Sequence, residues 1–529
     1  VVAGTARWRA VGRQGAVAAR LALAAGLALV PLVAPAPARA NGWEHAVVPF
    51  EALLEGLARG DAETRRRAAV SLGARGQREA VAPLLAHLEA GEADPEARRA
   101  VYRSLGLLGE RAAAGALLEC LAGEARDELR AECAEALGRI GGARALEGLL
   151  AALAGRAPIL VRGAAVRALG GFDDPRAVAA LAAIVRSRRG ASLRLRAIAA
   201  LGRGGAPGAV PVLVERLGRA GNDRERMTIA EALGRLRARA AVEPLARLLR
   251  ESGNVALRVR VTVALGAIRD GSARPTLAAM LEDPDPAVRF FAVEALRRLA
   301  DPAAAGALKE ALRRTLARIE GGPPAGAEAA LARAAALSEA VAEIGALTEL
   351  DPRRALPLLI EAARARPVPL ASSAHAQVAE GVYQMRRAAL YGLGYSASPR
   401  AVALLEGGDG LGDPDPRLRA VAVRSRAVLG GPGAGPRLVA MLEDPSAEVR
   451  WTAALALGRL RERAAVPALA RLLAADRWRE TRRRAAEALG LIGAPGAAAA
   501  LRRAAAGDPD ARVREAARLA LGRLGPASG

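Results

Sequence analysis

Apolar residues in this chain recur with a helical period, and that period is itself repeated along the sequence. A Leu-Gly pair stands at Leu72, Leu105, Leu137, Leu169, Leu201, Leu233 and Leu265, 33 residues apart at the first step and 32 at each later one. Leu296 holds the same place with Arg297 after it, and the pair returns at Leu393, Leu457, Leu489 and Leu521. Upstream of each leucine, apolar residues fall eight, four and three positions back, as in Val161, Ala165, Val166 and Leu169 or Val288, Ala292, Val293 and Leu296. This spacing makes one face of a helix, termed helix A.

The start of helix A is marked eleven residues before the leucine by Asp61, Asp94, Asn222, Asn254, Asp285, Asp415, Ser446 and Asp510, side chains suited to cap free N–H groups. Pro95, Pro286 and Pro416 follow three of them, where a missing N–H costs nothing. The glycine after the leucine falls before the helix ends, so it is read as permitting close helix approach rather than as a cap. A second helix, B, follows in forms such as AVAPLLAHLEA (80–90), AVEPLARLLRE (241–251) and AVPALARLLAA (465–475), with leucines at i, i+3 and i+4. One such pair cannot bury both of its apolar faces, so about fourteen two-helix repeats must stack into a continuous all-α array.

The register breaks between Leu296 and Leu393, an interval of 97 residues. Ile344-Gly345 can stand in for the missing anchor, although Leu337 then sits where the repeat has arginine. The extra residues fall around 313–330, with the breaker GGPPAG, and around 366–381, with PVPLASSAHAQ, and are expected in loops, where solenoids often carry function. The organisation read from this is regular repeats over 41–300, enlarged ones over 301–395 and C-terminal repeats over 396–529. Close to the break lie His375, Tyr383, Tyr391 and Tyr395, the candidate partner-binding residues; Tyr391 and Tyr395 flank an anchor, so packing is the alternative.

Composition supports the helical class: 52% of residues are hydrophobic but only 2% aromatic, the mark of Ala- and Leu-rich thin helix pairs. The net charge of +23 rests almost wholly on arginine, Lys309 being the single lysine. An arginine stands seven residues before nearly every anchor, from Arg65 and Arg98 through Arg289 to Arg450, Arg482 and Arg514, and Arg419 joins them if Arg426 takes the anchor of a degenerate unit. Acids are interspersed with these arginines, which favours a mixed-charge surface over a polyanion-binding one.

The first forty residues differ. Arg7, Arg9, Arg13 and Arg20 precede an uncharged apolar run from Leu21 to Val33, then APAPARA with small residues at Ala38 and Ala40. This has the form of a signal peptide cleaved near Ala40, and the run is too short to remain as a membrane span. Its removal leaves a charge of +18 and no transmembrane segment, and places the protein in the periplasm or outside the cell. The chain opens on Val rather than Met, so more of the leader can precede it. Cys120 and Cys133 both occupy apolar repeat positions; they read as small core residues, with a disulfide open because their helices are consecutive.

Units such as LEDPDPAVRFFAVEALRRL (281–299) and LEDPSAEVRWTAALALGRL (442–460) resemble HEAT repeats, specifically the short bacterial type first associated with phycobilisome lyases. The resemblance implies a right-handed α–α superhelix. It also implies that Asp283 with Arg289, Asp444 with Arg450, and Asp508 with Arg514 make structural contacts between repeats.

Catalytic patterns are not found. His45, His87 and His375 are far apart, none is followed by Glu and none belongs to an HExxH, so no metal or cofactor is called for. No GxSxG occurs, and the Gly-rich stretches lack the GK[ST] of a phosphate loop. The expectation is a non-enzymatic scaffold or adaptor that binds a protein partner on its solenoid surface. The alternatives are a basic solenoid for nucleic acid or acidic polymer and, from the family name alone, a chromophore-lyase-like or chaperone activity.

Overall fold

A computed structural model describes residues 48–187, 191–320, 324, 326–366 and 373–524. The signal sequence read at 1–40 lies outside the described residues, as do His45 and parts of both insertions, 321–323, 325 and 367–372. Among the described residues there are 28 α-helices and no strand, so the fold is an all-α stack of two-helix repeats.

The chain divides into two units, the first ending at Thr276. The first contains α1 (Phe50–Arg59), α2 (Ala62–Arg75), α3 (Val81–Glu89), α4 (Pro95–Leu108), α5 (Ala114–Gly123), α6 (Asp127–Ile140), α7 (Ala143–Ala154), α8 (Ile159–Leu169), α9 (Pro175–Arg186), α10 (Ala191–Arg203), α11 (Ala209–Gly218), α12 (Asp223–Arg235), α13 (Val242–Glu251) and α14 (Val255–Ile268). The boundary falls in the short α15 (Arg274–Ala279). The second unit continues with α16 (Pro286–Leu299), α17 (Ala305–Ile319), α18 (Gly326–Leu350), α19 (Pro352–Arg364), α20 (Ser373–Leu393), α21 (Pro399–Glu406), α22 (Pro416–Leu429), α23 (Ala434–Ala440), α24 (Ala447–Leu460), α25 (Val466–Ala475), α26 (Arg479–Ile492), α27 (Ala498–Gly507) and α28 (Ala511–Leu524). Even numbers are A helices and odd numbers B helices.

The A helices begin where the caps stand. Asp94 accepts from the Ala97 N–H at 2.8 Å, Asn222 from Glu225 at 3.0 Å and Asp415 from Arg417 at 2.8 Å, whereas the Ser446 side chain makes no such bond. Several end on a left-handed residue four positions after the anchor. It is glycine at Gly76 and Gly109 but Arg269, Ala300 and Arg461 elsewhere, a conformation that strains a Cβ. The anchor leucines from Leu72 to Leu489 are buried, as are B-helix leucines such as Leu84, Leu117, Leu245 and Leu469. Each B helix lies closer to the A helix that follows it than to the one before, so the packing unit runs from B into A.

Consecutive A helices within a unit pack side by side, and the anchor glycine makes this possible. A Cβ added at Gly106, Gly138, Gly202 or Gly458 would lie 2.7 Å from Ala136, Ala168, Ala232 or Ala488, each the residue before the next anchor. Glycine and alanine thus interlock across these steps, while Gly73 and Gly394 meet Ser104 and Ser425 in the same place. Gly345, the substitute anchor, has nothing within 4 Å of its would-be Cβ. Here the close approach comes from the other helix: Gly381 and Gly392 on α20 meet Leu337 and Thr348 on α18.

The expectation that the insertions form loops needs correction. Most of the added residues lengthen helices: α18 has 25 residues and α20 has 21, against 14 in a regular A helix such as α6. Ala- and Leu-rich sequence propagates a helix once it is started, and the longer helices bury their extra apolar positions against each other. Among the described residues no helix is long and apolar enough to cross a membrane.

Replacing Gly138 by alanine should push α6 from α8 and lower stability by about 1–3 kcal/mol, while Gly345→Ala should raise it by about 0.5–1 kcal/mol, both read by urea unfolding with circular dichroism. Equal effects at the two glycines would contradict the packing described.

Candidate functional site

The arginine seven residues before each anchor sits at the second turn of helix A, where its guanidinium reaches the loop before its own helix and the loop before the next one. In the C-terminal repeats of the second unit the pattern is regular. Arg419 donates through Nε and Nη2 to both carboxylate oxygens of Asp444 at 2.8 Å and through Nη1 to the carbonyl of Asp413 at 2.8 Å. Arg450 makes the same contacts with Asp476 (2.6 and 3.2 Å) and the Asp444 carbonyl (2.8 Å), and Arg482 with Asp508 (2.8 and 3.0 Å) and the Asp476 carbonyl (2.8 Å). Arg386 reaches Asp413 through Nη2 alone, its Nε donating instead to the Ala363 carbonyl at 2.8 Å. Each aspartate also accepts the N–H two residues on, as Asp444 does from Ser446 and Asp508 from Asp510, and so shapes the turn into helix A. The result is a ladder of forked pairs, one rung per repeat.

The residues expected as pairs therefore meet differently. Arg289, Arg450 and Arg514 touch the main-chain carbonyls of Asp283, Asp444 and Asp508 in their own repeats. Where the carboxylate partner is seen, it belongs to a neighbouring repeat: Asp444 goes to Arg419 and Asp508 to Arg482. In the first unit Glu92 plays the aspartate's part for Arg65, at 2.7 and 2.8 Å, and also bonds His87 at 2.8 Å. The Arg65 guanidinium holds the Glu92 carboxyl down at about 2. Asp508 is likewise lowered, burial opposing the shift and the Arg482 bonds outweighing it.

Arg426 does occupy an anchor position. It is fully buried, and its Nε reaches Glu406 at 2.7 Å while the rest of the fork bonds carbonyls of Gly430 and Pro432. Cys120 on α5 and Cys133 on α6 are joined in a disulfide with Cα atoms 6.3 Å apart, which settles the choice the sequence left open.

At the break, Arg289 turns to Glu339, a residue inside α18 rather than in a loop, at 2.7 and 3.1 Å. Arg318 of α17 also donates to Glu339, at 2.6 Å. One turn further along α18 lies Glu343, which accepts from Thr315 at 3.1 Å while its second oxygen is buried without a hydrogen-bond partner. Burial, reinforced by the neighbouring Glu339, pushes Glu343 up to about 8. Sequence reasoning missed both acids, because nothing in the helical pattern separates them from surface positions except their places one turn apart.

The aromatic candidates lie on α20 and just beyond it. Tyr383 is half-buried with the Arg417 guanidinium 4.0 Å from its ring centre. Tyr391 and Tyr395 are exposed, their hydroxyls 2.8 Å apart. His375 lies sixteen residues before Tyr391 on the same helix, roughly 24 Å along the axis, so these four side chains do not form one site. Among the described residues no group of three or more His, Cys, Asp or Glu is placed to hold a metal ion.

This arrangement of stacked B-to-A helix pairs is matched by the HEAT-repeat family pattern over residues 50–138, 116–198, 146–234, 189–255, 242–319, 408–489 and 477–528, and the chain belongs to that family. A search of curated proteins finds no match. Similar solved structures include human deoxyhypusine hydroxylase in complex with glycerol, 25% identical over 66% of this chain and 95% of its own, with a TM-score of 0.22. Kap95p, solved with RanGDP, is 15% identical over 90% of this chain and 77% of its own, with a TM-score of 0.46. Kap121p is 14% identical over 90% of this chain, with a TM-score of 0.48, and this chain spans 53% of its length.

A raised carboxyl has a definite stability signature. The unfolded chain loses the Glu343 proton near pH 4.5 and the folded chain holds it to about 8, so folding weakens as pH rises between those values. Glu343→Gln should therefore match the parent at pH 4 and exceed it by roughly 2–3 kcal/mol at pH 7. Urea unfolding across that pH range checks this, and a variant equally stable at both pH values relative to the parent would contradict it.

Proposed function

We propose that this HEAT-repeat protein is a non-enzymatic scaffold that works outside the cytoplasm, as a periplasmic or secreted protein, and holds a protein partner on an exposed ridge of its A helices. The observation that carries the reading is a row of exposed apolar side chains on three adjacent A-helix ends of the second unit: Tyr391 at 46% and Tyr395 at 38% exposure, Val428 at 51% and Leu460 at 38%. Apolar groups left in water as a contiguous group mark contact surfaces, and tyrosine supplies large area with a polar tip. The compartment is supported by the leader-like first forty residues and by the Cys120–Cys133 disulfide, which persists where thiols are oxidised. The 32-residue period and the DPxxxVR units support placement in the short bacterial, phycobilisome-lyase-type branch of the family.

Photo-crosslinking tests this in the native envelope. A benzophenone side chain at Tyr395 or Val428 should give a discrete protein adduct that Tyr391→Ser abolishes, while the same probe at Arg247 gives none. Absence of a discrete adduct from both ridge positions would contradict the reading.

A further inference from the structure

The exposed apolar row on the A helices of the second unit has a basic border. α20 and α22 pack side by side, and a Cβ added at Gly394 would lie 3.0 Å from the Ser425 Cα. Next to those two residues in the chain stand Tyr395 and Arg424. Arg424 is exposed, and among the described residues it makes no hydrogen bond or ion pair. Long side chains on a helix lean toward its N-terminus, which carries this guanidinium away from Val428 and toward Arg387 and Tyr383 of α20. Desolvation by the surrounding chain, reinforced by Arg387, pushes it below the ordinary arginine range. Glu448 of α24 opposes that shift without pairing with it. Arg387 is half-buried, and among the described residues its hydrogen bond goes to the neutral Gln384 Oε1, at 3.1 Å. On α24 the exposed Arg459 stands beside Leu460.

Arg203 on α10 is lowered in a similar way, by desolvation and then by Arg235 and Arg167, but its setting differs. It donates to the Arg167 carbonyl at 3.4 Å and so serves the last turn of α8. Among the described residues no large apolar side chain is exposed on α10 or α12. Arg424 serves no carbonyl and borders the exposed row.

We infer that this ridge takes an extended segment of the partner protein in which apolar and acidic residues alternate on one face. The apolar side chains cover Tyr391, Tyr395 and Val428, and a carboxylate enters between Arg387 and Arg424. This rests on the scaffold reading and names the chemistry of its partner. Arg387 stands four residues before Tyr391 and Arg424 four before Val428, so on each helix the charge lies one turn, about 6 Å, from the apolar group. In an extended chain, residues i and i+2 share a face about 6.6 Å apart, which matches that step. One carboxylate shared by two guanidiniums offsets both their mutual repulsion and the desolvation of Arg424. A polyphosphate or acidic polysaccharide would meet the arginines and leave Val428 and Leu460 in water.

The test uses the full chain and a labelled peptide of repeated Leu-Ser-Glu-Ser units. A counterpart with Gln for Glu, and oligothymidylate of similar length, are the comparisons. The parent should bind the Glu peptide about ten-fold more tightly than the Gln peptide. Arg424→Gln should bring that preference within about two-fold, whereas Tyr391→Ser should weaken both peptides alike. Because Arg424→Gln removes a charge without a partner, its melting temperature should equal or exceed the parent's. Arg203→Gln removes the other desolvated arginine and should leave the preference unchanged. No binding or equal binding of the two peptides by the parent, a preference that survives Arg424→Gln, its loss in Arg203→Gln, or tighter binding of oligothymidylate than of the Glu peptide would each overturn the inference. Such a failure leaves the adduct at Tyr395 intact, whereas failure of the scaffold reading removes that adduct.

Discussion

A guanidinium recessed between two helices has to find a counter-charge, because leaving it stripped of water and unpaired costs several kcal/mol. In this chain the counter-charge comes from the following repeat. Arg419, Arg450 and Arg482 each grip the carboxylate of the next loop and the carbonyl of their own, so each arginine fastens three segments at once. The aspartate in turn shapes the turn that starts the next helix A. A helix pair with two apolar faces and no stability of its own is thereby held in register with its neighbours, and the interlocked glycine and alanine of adjacent A helices let the fork reach.

Much of this was legible in the sequence, for a physical reason. Helix, cap, anchor and arginine are local features whose spacing repeats, so Leu137, Arg130 and Asp94 announce themselves by position. The partners of the arginines were not legible in the same way. Asp444 stands six residues before Arg450, and that proximity along the chain suggests a pair; the helix carries the two apart, leaves only the carbonyl within reach, and delivers the carboxylate to Arg419. The alanine that receives most anchor glycines was hidden for a related reason, since alanine is common at every position of such helices.

The break shows what happens when the period slips. Glu339, from within α18, replaces a loop acid for Arg289, and the close-approach glycine moves from one helix to its neighbour at Gly381 and Gly392. The functions of the repeat are conserved there while their positions are not, which is why a search by position found only insertions. Glu343 is different: it is a buried carboxyl with an unpaired oxygen, held at a loss of stability that its Thr315 bond and the nearby Arg318 and Arg289 offset only in part. In the first unit the slip is chemical rather than positional, and arginine stands where the ladder has its acid at Arg156.

The most direct measurement is a double-mutant cycle on Arg450 and Asp476, each replaced by alanine alone and together. It is read through hydrogen exchange of the amides in α24 and α26, because long repeat arrays need not unfold in one step. A coupling of about 1.5–3 kcal/mol is expected for this recessed pair, together with loss of protection on both helices and no measurable coupling for the exposed pair Arg59 and Glu55. Additive effects at Arg450 and Asp476, with protection of α26 unchanged when Arg450 is removed, would contradict the claim that the ladder binds one repeat to the next.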